Sequence, residues 1–126
     1  MALPEHLKTG YRGEQLAARK LRSDGFIIVD ANFLTTLGET DIIALDKHKT
    51  LCFIEVKTRS PDAFFAPSEA VDADKQRRLI NNAKAYLKTT SEKYKAVEFD
   101  IMEVTLHDLN NAQFNLIRNA FGQGEI

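Results

Sequence analysis

The sequence predicts an α/β (α+β) fold in which helices flank a central mixed β-sheet. Two segments have apolar residues at the spacing of an α-helix, and five have the composition and alternation of β-strands, in the order αβββαββ. That order implies a sheet packed against helices. The chain has 126 residues, 44% of them hydrophobic and 28% charged, so we expect one globular domain over residues 1–126.

The first element is predicted to be a helix that ends near Gly25. Apolar residues recur along one stripe of a 3.6-residue period, and glycine commonly follows the last turn of a helix. This stripe contains Leu7, Tyr11, Ala18 and Leu21. We therefore expect Tyr11 to pack in the core.

The remaining elements follow in order along the chain. Strands are predicted at 26–33, 39–45 and 51–57, with the polar residues between the last two forming a hairpin loop. Residues 60–70 contain two prolines and no period, which predicts a mobile loop. Its Phe64-Phe65 pair either packs on the domain or stacks on a nucleic-acid base.

A second helix is predicted to begin at Asp72 or Asp74, either of which can be its N-cap, and to run to about Lys88. Tyr86 lies on its inward stripe. Strands at 96–105 and 113–118 complete the order.

The net charge of −1 conceals an uneven distribution of charge along the chain. Residues 72–95 carry seven basic and three acidic side chains, whereas residues 96–126 carry one basic and five acidic side chains. The basic segment is either a surface that faces phosphate groups or an ordinary solvated helix face.

Apolar runs and cysteine content narrow the class of protein further. The longest apolar runs are four residues, whereas a membrane-spanning helix needs about 20. The N-terminus lacks the basic and apolar regions of a signal peptide. Cys52 is the only cysteine, which excludes an internal disulfide, and we expect a buried, unreactive thiol. These features predict a cytoplasmic protein that does not enter a membrane.

Three carboxylates and a lysine stand where their neighbours predict apolar residues. Glu14 lies on the apolar stripe of the first helix, where an unpaired carboxylate is costly. Asp41 heads an apolar strand, and Glu55 and Lys57 interrupt another. Because side chains alternate along a strand, Glu55 and Lys57 project from the same face.

The predicted hairpin brings two of these carboxylates together. If Leu45 pairs with Leu51, Asp41 falls opposite Glu55, with Cβ atoms about 4.5–5.5 Å apart. Two carboxylates at that distance repel unless one is protonated or a cation lies between them. A hard divalent cation is one solution, and a Glu55–Lys57 ion pair on a half-solvated face is the alternative.

The segments Gly38-Glu39-Thr40-Asp41 and Glu55-Val56-Lys57-Thr58-Arg59 resemble the PD-(D/E)xK nuclease pattern, an acidic residue followed after a gap by (D/E)xK. Further segments spread the likeness over nearly the whole chain; they are Gly10–Glu14, Gly25-Phe26, Lys75–Leu79, Phe99-Asp100 and Asn119–Phe121. Together they resemble the YraN-like family of small bacterial proteins, which are similar to Holliday junction resolvases.

The resemblance implies a restriction-endonuclease-like fold and metal-assisted hydrolysis of phosphodiesters in branched or structured DNA. It implies that Asp41, Glu55 and the Val56 carbonyl bind Mg²⁺, for which Mn²⁺ would substitute, and that Glu14 completes the site. Lys57 would act with these three carboxylates in catalysis. The implied phosphate contacts are Arg59, Lys75, Gln76 and Arg78.

Three positions depart from the family pattern. Thr40 replaces an isoleucine, and Leu34 and Glu98 each replace an arginine. Two fewer positive charges would weaken binding to phosphates, which dominate nucleic-acid affinity. A non-catalytic nucleic-acid-binding module and a protein-interaction domain that uses the acidic C-terminal half therefore remain alternatives.

Two geometric expectations follow. Asp41, Glu55 and Lys57 should converge on one side of the sheet, with Glu14 approaching from the first helix. A positive rim should border this acidic pocket, formed by Arg59, Lys75, Arg77, Arg78 and Lys84. A homodimer would match the two-fold symmetry of a DNA junction, and no nucleotide cofactor is expected.

Overall fold

A computed structural model describes residues 5–62, 71–108 and 110–126, with side chains from residue 10 onward. The elements are α1 (Glu5–Ser23), β1 (Ile27–Thr35), β2 (Gly38–Leu45), β3 (Thr50–Arg59), α2 (Ala73–Thr89), β4 (Ala96–Asp108) and β5 (Asn111–Phe121). The predicted order αβββαββ is confirmed. Most of the predicted loop at 60–70, including Phe64 and Phe65, lies outside the described residues.

The five strands form one mixed sheet in the order β1-β2-β3-β4-β5. β3 and β4 are parallel, and the other neighbouring strands are antiparallel. Parallel neighbours need a crossover connection, and α2 lies in the connection from β3 to β4. The fold is therefore α+β, with the mixed sheet and flanking helices of a restriction-endonuclease-like protein.

Each face of the sheet buries its own hydrophobic cluster, because side chains alternate along the strands. The cluster on the α2 face includes Ile43, Leu51, Phe53, Leu79, Ala83, Tyr86, Phe99 and Phe121. The cluster on the α1 face includes Ala17, Leu21, Ile42, Cys52, Ile54, Met102 and Val104. Tyr86 packs edge-on against Phe33 and Phe53, as its place on the inward stripe predicts. Burial raises the pKa of the Cys52 thiol, in agreement with a buried, unreactive cysteine.

The ends of both helices follow from local sequence. Asp72 is the N-cap of α2, and its side chain accepts a hydrogen bond from the Lys75 N–H at 2.9 Å. Gly25 adopts a positive φ of 93° just after α1, and the Phe26 N–H donates to the Leu21 carbonyl at 3.0 Å. Both the predicted N-cap and the predicted stop are confirmed.

The prediction that Tyr11 packs in the core is wrong, since 56% of its surface is exposed. The buried stripe of α1 passes through Gly13, Ala17 and Leu21. Tyr11 instead lines a groove between α1 and β1 together with Ala18. The sequence pattern placed the stripe incorrectly because it gave no weight to glycine, although Gly13 marks the point of closest approach to the sheet.

Gly13→Ala is expected to destabilise the protein by about 1–3 kcal/mol, because the helix and sheet have no room for a methyl group there. A Cβ at residue 13 would lie 1.9 Å from Thr58 Oγ1 and 2.9 Å from Thr58 Cβ. Gly10→Ala in the same helix is the matched control, since no other element of the described part of the chain comes within 4 Å of its Cβ position. That control should be about 0.5–1 kcal/mol more stable than the wild type. Urea unfolding measures both, and an equal gain from both substitutions would contradict the close approach.

Arg118 gathers three carboxylates near the start of β3 and β4. It forms ion pairs with Glu98 and with Asp46 at 2.7 Å, and its Nε lies 3.4 Å from Asp100 Oδ2. Glu98 lies beside Cys52 in the sheet, three residues before the level of Glu55. The departure from arginine at residue 98 therefore creates an internal ion pair away from the predicted metal site. Leu34, which also replaces an arginine of the family pattern, is a side chain on β1 that is 70% exposed.

The buried Asp100 predicts a dependence of stability on pH. Burial, followed by its hydrogen bond to Glu98, raises the pKa of Asp100 to about 8 from the ordinary value of 3.8. The folded protein thus keeps a proton that the unfolded chain releases, so stability from this group is complete below about pH 4 and is lost as the pH rises towards 8.

Asp100→Asn removes this ionisable group. As the pH rises from 5 to 8, the melting temperature of the variant should therefore increase relative to that of the wild type. Asp74→Asn, at a carboxylate exposed on α2, is the control for the loss of one acidic side chain. Scanning calorimetry at several pH values makes the comparison. A constant difference for Asp100→Asn would show that its carboxyl is ionised throughout.

Candidate active site

The candidate site lies where β2 separates from β3. The ladder between these strands runs from Leu45↔Leu51 to Ile42↔Ile54, and β3 continues beyond it beside β4 as far as Arg59. The predicted register is confirmed, but no ladder pair joins Asp41 to Glu55. The Asp41 carboxylate instead accepts a hydrogen bond from the Val56 N–H at 2.8 Å.

Asp41 is accessible from both faces of the sheet because it occupies this gap. On the α1 side it lines a groove of about 300 Å³ together with Glu14. On the α2 side it lines a recess of about 310 Å³ together with Glu55, Lys75 and Arg78. The structure thus brings Asp41 and Glu55 to a common recess and places Glu14 beside Asp41 from α1, as predicted.

Burial and crowding of the carboxylates raise their pKa values. Burial, followed by repulsion from Glu55, raises the pKa of Asp41 to about 8, although the hydrogen bond from the Val56 N–H opposes the shift. Burial also raises the pKa of Glu14, with repulsion from Glu39 and Glu55 adding to it and a hydrogen bond to Asp41 opposing it. The site therefore favours either a bound proton or a bound cation.

Two lysines compete for Glu55. Lys75 Nζ lies 2.8 Å from Glu55 Oε1, and Lys57 Nζ lies 3.6 Å from the same oxygen. Burial and then the neighbouring Lys75 lower the pKa of Lys57. The pKa of Lys75 is raised, because its hydrogen bond and attraction to Glu55 outweigh its burial. The family resemblance implies that Lys75 contacts a phosphate of the substrate. In the structure Lys75 lies closer to Glu55 than Lys57 does.

The other predicted phosphate contacts are divided. Arg78 lines the α2-side recess, and Arg59 lines a third recess of about 450 Å³ with Glu14 and Lys57. Gln76 donates its amide to the Val71 carbonyl at 3.0 Å, so this side chain secures the start of α2. Its contact with phosphate stays a prediction.

The predicted positive rim forms only in part. Arg59, Lys75 and Arg78 line the recesses around the carboxylates. Arg77 forms an exposed ion pair with Asp74 at 2.8 Å, and Lys84 is exposed on the outer stripe of α2. Helical geometry explains the division, because Arg77 and Lys84 share a stripe that Lys75 does not.

Asn32 supports the site, and the sequence assigned it no role. It lies between the pairs Ala31↔Ile42 and Phe33↔Thr40, hence opposite Asp41. With its amide nitrogen turned towards the acids, it donates to Glu14 Oε2 at 3.1 Å and Glu39 Oε1 at 3.2 Å. Its φ of 51° is a left-handed conformation that asparagine tolerates better than most residues. An asparagine inside an otherwise regular strand was the available signal.

Asn82 anchors α2 to the strands next to Asp41. This fully buried amide donates to the Phe33 carbonyl at 2.9 Å and to Thr40 Oγ1 at 3.1 Å. It also accepts from Thr35 Oγ1 at 2.6 Å. The pairing explains how the strand accepts a buried threonine at residue 40, where the family pattern has isoleucine.

Comparison with known proteins identifies the family. The sequence model described as "Uncharacterised protein family UPF0102" matches residues 13–104. The chain belongs to the UPF0102 family. It is 40% identical over 113 residues to a UPF0102 protein of Clostridium perfringens, covering 89% of this chain and 92% of that protein. It is 41% identical over 119 residues to a UPF0102 protein of Desulfosudis oleivorans, covering 94% of each.

The span matched by the UPF0102 model contains the whole candidate site. It begins at Gly13, next to Glu14, and extends past the acidic residues of β2 and β3 and the basic start of α2. It ends in β4, so Arg118 lies beyond it. Within the part of the chain that the structure describes, no helix is long and apolar enough to cross a membrane.

Proposed function

We propose that this UPF0102 chain is a Mg²⁺-dependent endonuclease that hydrolyses phosphodiester bonds in branched or structured DNA. The observation that carries the proposal is the gathering of Glu14, Asp41 and Glu55 with Lys57 at the separation of β2 from β3. Of these groups, Glu55 is 6% exposed and lies in ion-pair contact with two lysines. Buried titratable groups with shifted proton affinities are common at catalytic sites.

The residues fit a hard divalent cation. Carboxylate oxygens are the ligands that Mg²⁺ prefers, and Asp41 shares one recess with Glu55 and one groove with Glu14. Burial first, and then repulsion from neighbouring carboxylates, raises the pKa values of Asp41 and Glu14, and a bound cation would oppose both effects. A bound Mg²⁺ would supply Lewis-acid polarisation of the phosphate and a more acidic water.

The chain's own side chains supply the remaining chemistry. Lys57 Nζ lies 3.6 Å from Glu55 Oε1, and its charge would stabilise the negative charge that develops on the phosphate. Its lowered pKa also favours the exchange of a proton with the attacking water. Asn32 orients Glu14, and Arg59, Lys75 and Arg78 would contact flanking phosphates. We propose that the reaction takes place in the cytoplasm, where the unpaired Cys52 stays reduced.

A non-catalytic nucleic-acid-binding module is the second candidate. The observation that favours it is the 2.8 Å ion pair between Lys75 and Glu55, which neutralises a metal ligand from within the protein. The acidic C-terminal half gives less support to a protein-interaction domain, because Glu98 and Asp100 are engaged internally by Arg118.

Cleavage assays on matched DNA substrates test the proposal. A four-way junction, a flap and a blunt duplex of the same sequences are incubated with the protein in Mg²⁺, in Mn²⁺ and in EDTA. We expect cleavage of at least one branched substrate that requires the metal. Binding without cleavage in either metal would support the binding module, and absence of both binding and cleavage would refute any action on DNA.

A further inference from the structure

The groove between α1 and β1 is a feature that the proposed chemistry does not use. It has a volume of about 300 Å³ and opens at one place onto Asp41 and Glu14. This volume is at the lower end of the range for small-molecule pockets, and it suits a single planar group rather than a folded partner. The groove lies on the α1 face of the sheet, opposite the recess that holds Glu55 and Lys75.

The lining of this groove combines apolar and cationic groups. Ala18, Ile28 and Ile42 contribute apolar surface from α1, β1 and β2. Tyr11, which is 56% exposed, stands at the N-terminal end of the helix stripe that lines the groove. The exposure of this large aromatic ring at the groove leaves a ring face available for stacking.

Two arginines line the same groove. Arg19 and Arg22 are exposed, three residues apart on α1, and therefore lie side by side on the helix surface. Arg22 is about 12 Å from Glu14 along the helix axis, at 1.5 Å of rise per residue. The groove thus has carboxylates at one end and two guanidinium groups along its length.

Single-stranded nucleic acid is the ligand that matches this combination. Proteins bind unpaired strands by stacking bases on aromatic side chains and by following the backbone with basic groups. A base inside an intact duplex is stacked and paired, so it cannot enter the groove unless it leaves the helix at an energetic cost. A base at a flap, gap or branch point is already unpaired and does not incur that cost.

We infer that the α1–β1 groove binds an unpaired strand next to the bond that is cut, with one base against Tyr11 and the phosphates of the adjoining nucleotides on Arg19 and Arg22. This inference rests on the proposed endonuclease function. It names the substrate class of that site as DNA with a single-stranded or unstacked nucleotide beside the scissile phosphate. Intact duplex is a poor substrate because it leaves the groove empty.

The test is equilibrium binding in Ca²⁺ to a flap that carries one 2-aminopurine at the branch position and to a blunt duplex that carries it at the same place in the sequence. The wild type should bind the flap more tightly. The variants are Tyr11→Ala, Tyr11→Phe and the double variant Arg19→Ala/Arg22→Ala. Lys88→Ala/Lys93→Ala removes two charges from exposed positions outside the groove and is the control.

Tyr11→Ala and the double arginine variant should each weaken flap binding about tenfold, the effect of about one stacked base, and change duplex binding by less than about twofold. Tyr11→Phe keeps the ring and should bind the flap like the wild type, as should the lysine control. Because Tyr11 is exposed, its variants should fold like the wild type, and melting temperatures verify this.

Two other outcomes are distinguishable. Equal binding of flap and duplex by the wild type, or equal losses on both substrates in the groove variants, would overturn the inference while cleavage in Mg²⁺ still upheld the proposed function. A wild type that neither binds nor cuts any of the substrates would refute the proposed function, and the inference with it.

Discussion

Asp41→Asn is expected to abolish cleavage, with a loss of at least about 10²–10³ in rate, and to weaken metal binding. Asp41 is the carboxylate shared by the two sides of the site, so no neighbouring acid can replace its oxygen. The substitution keeps an amide oxygen in place to accept the Val56 N–H, which lies 2.8 Å from the carboxylate. It also removes an acid whose pKa burial and then Glu55 raise to about 8, so the variant should unfold at a temperature equal to or higher than that of the wild type, with the larger gain at high pH.

The measurements are single-turnover cleavage and Mn²⁺ titration by calorimetry. Asp24→Asn, at an exposed acid beyond the end of α1, controls for the loss of one negative charge and should behave like the wild type. Unchanged Mn²⁺ affinity in Asp41→Asn would place the metal elsewhere. A large drop in stability would show that the Asp41 carboxylate serves the fold rather than the site.

Lys57→Met is expected to lower the rate of cleavage by about 10²–10³ while folding stays nearly unaffected. Methionine keeps most of the volume of the lysine stem and removes the charge. Metal binding should persist and even tighten, because a nearby positive charge opposes a divalent cation. The same assays as for Asp41→Asn give all three quantities.

Lys75→Met is the matched comparison, since Lys75 lies closer to Glu55 than Lys57 does. If Lys57 stabilises the transition state, its loss should reduce kcat, whereas loss of Lys75 should mainly raise KM through a missing phosphate contact. The reverse assignment would identify Lys75 as the catalytic cation. If Lys57→Met unfolds the protein and the wild type binds no metal, Glu55 and Lys57 form a purely structural pair.

Most of the fold can be predicted from local sequence. The order of the elements, the cap at Asp72 and the stop at Gly25 follow from periodicity and from residues with particular backbone preferences. The register of β2 and β3 also follows, because a shift by one residue would move every apolar side chain of the hairpin to the opposite face. For the same reason Glu55 and Lys57 were correctly assigned to one face.

The sequence predicts which residues belong to the candidate site, but it does not predict the contacts between them. Glu14, Asp41, Glu55 and Lys57 are conspicuous because each interrupts an apolar pattern. Their grouping across the gap between the strands has no local signal. It depends on β2 leaving β3 one residue before the expected pair, where Asp41 takes the Val56 N–H.

By itself the sequence determined the αβββαββ order, the faces of the strands and the acidic residues of the site, since all three depend on neighbours within a few positions. Tertiary structure alone decided that Lys75 reaches Glu55, that Asn82 holds Thr40 and that Arg118 engages Glu98. Each of these contacts joins residues about 20 or more positions apart, and a periodic pattern carries no information on pairs so distant. Tyr11 belongs with them, because its exposure follows from the approach of Gly13 to Thr58 across two elements.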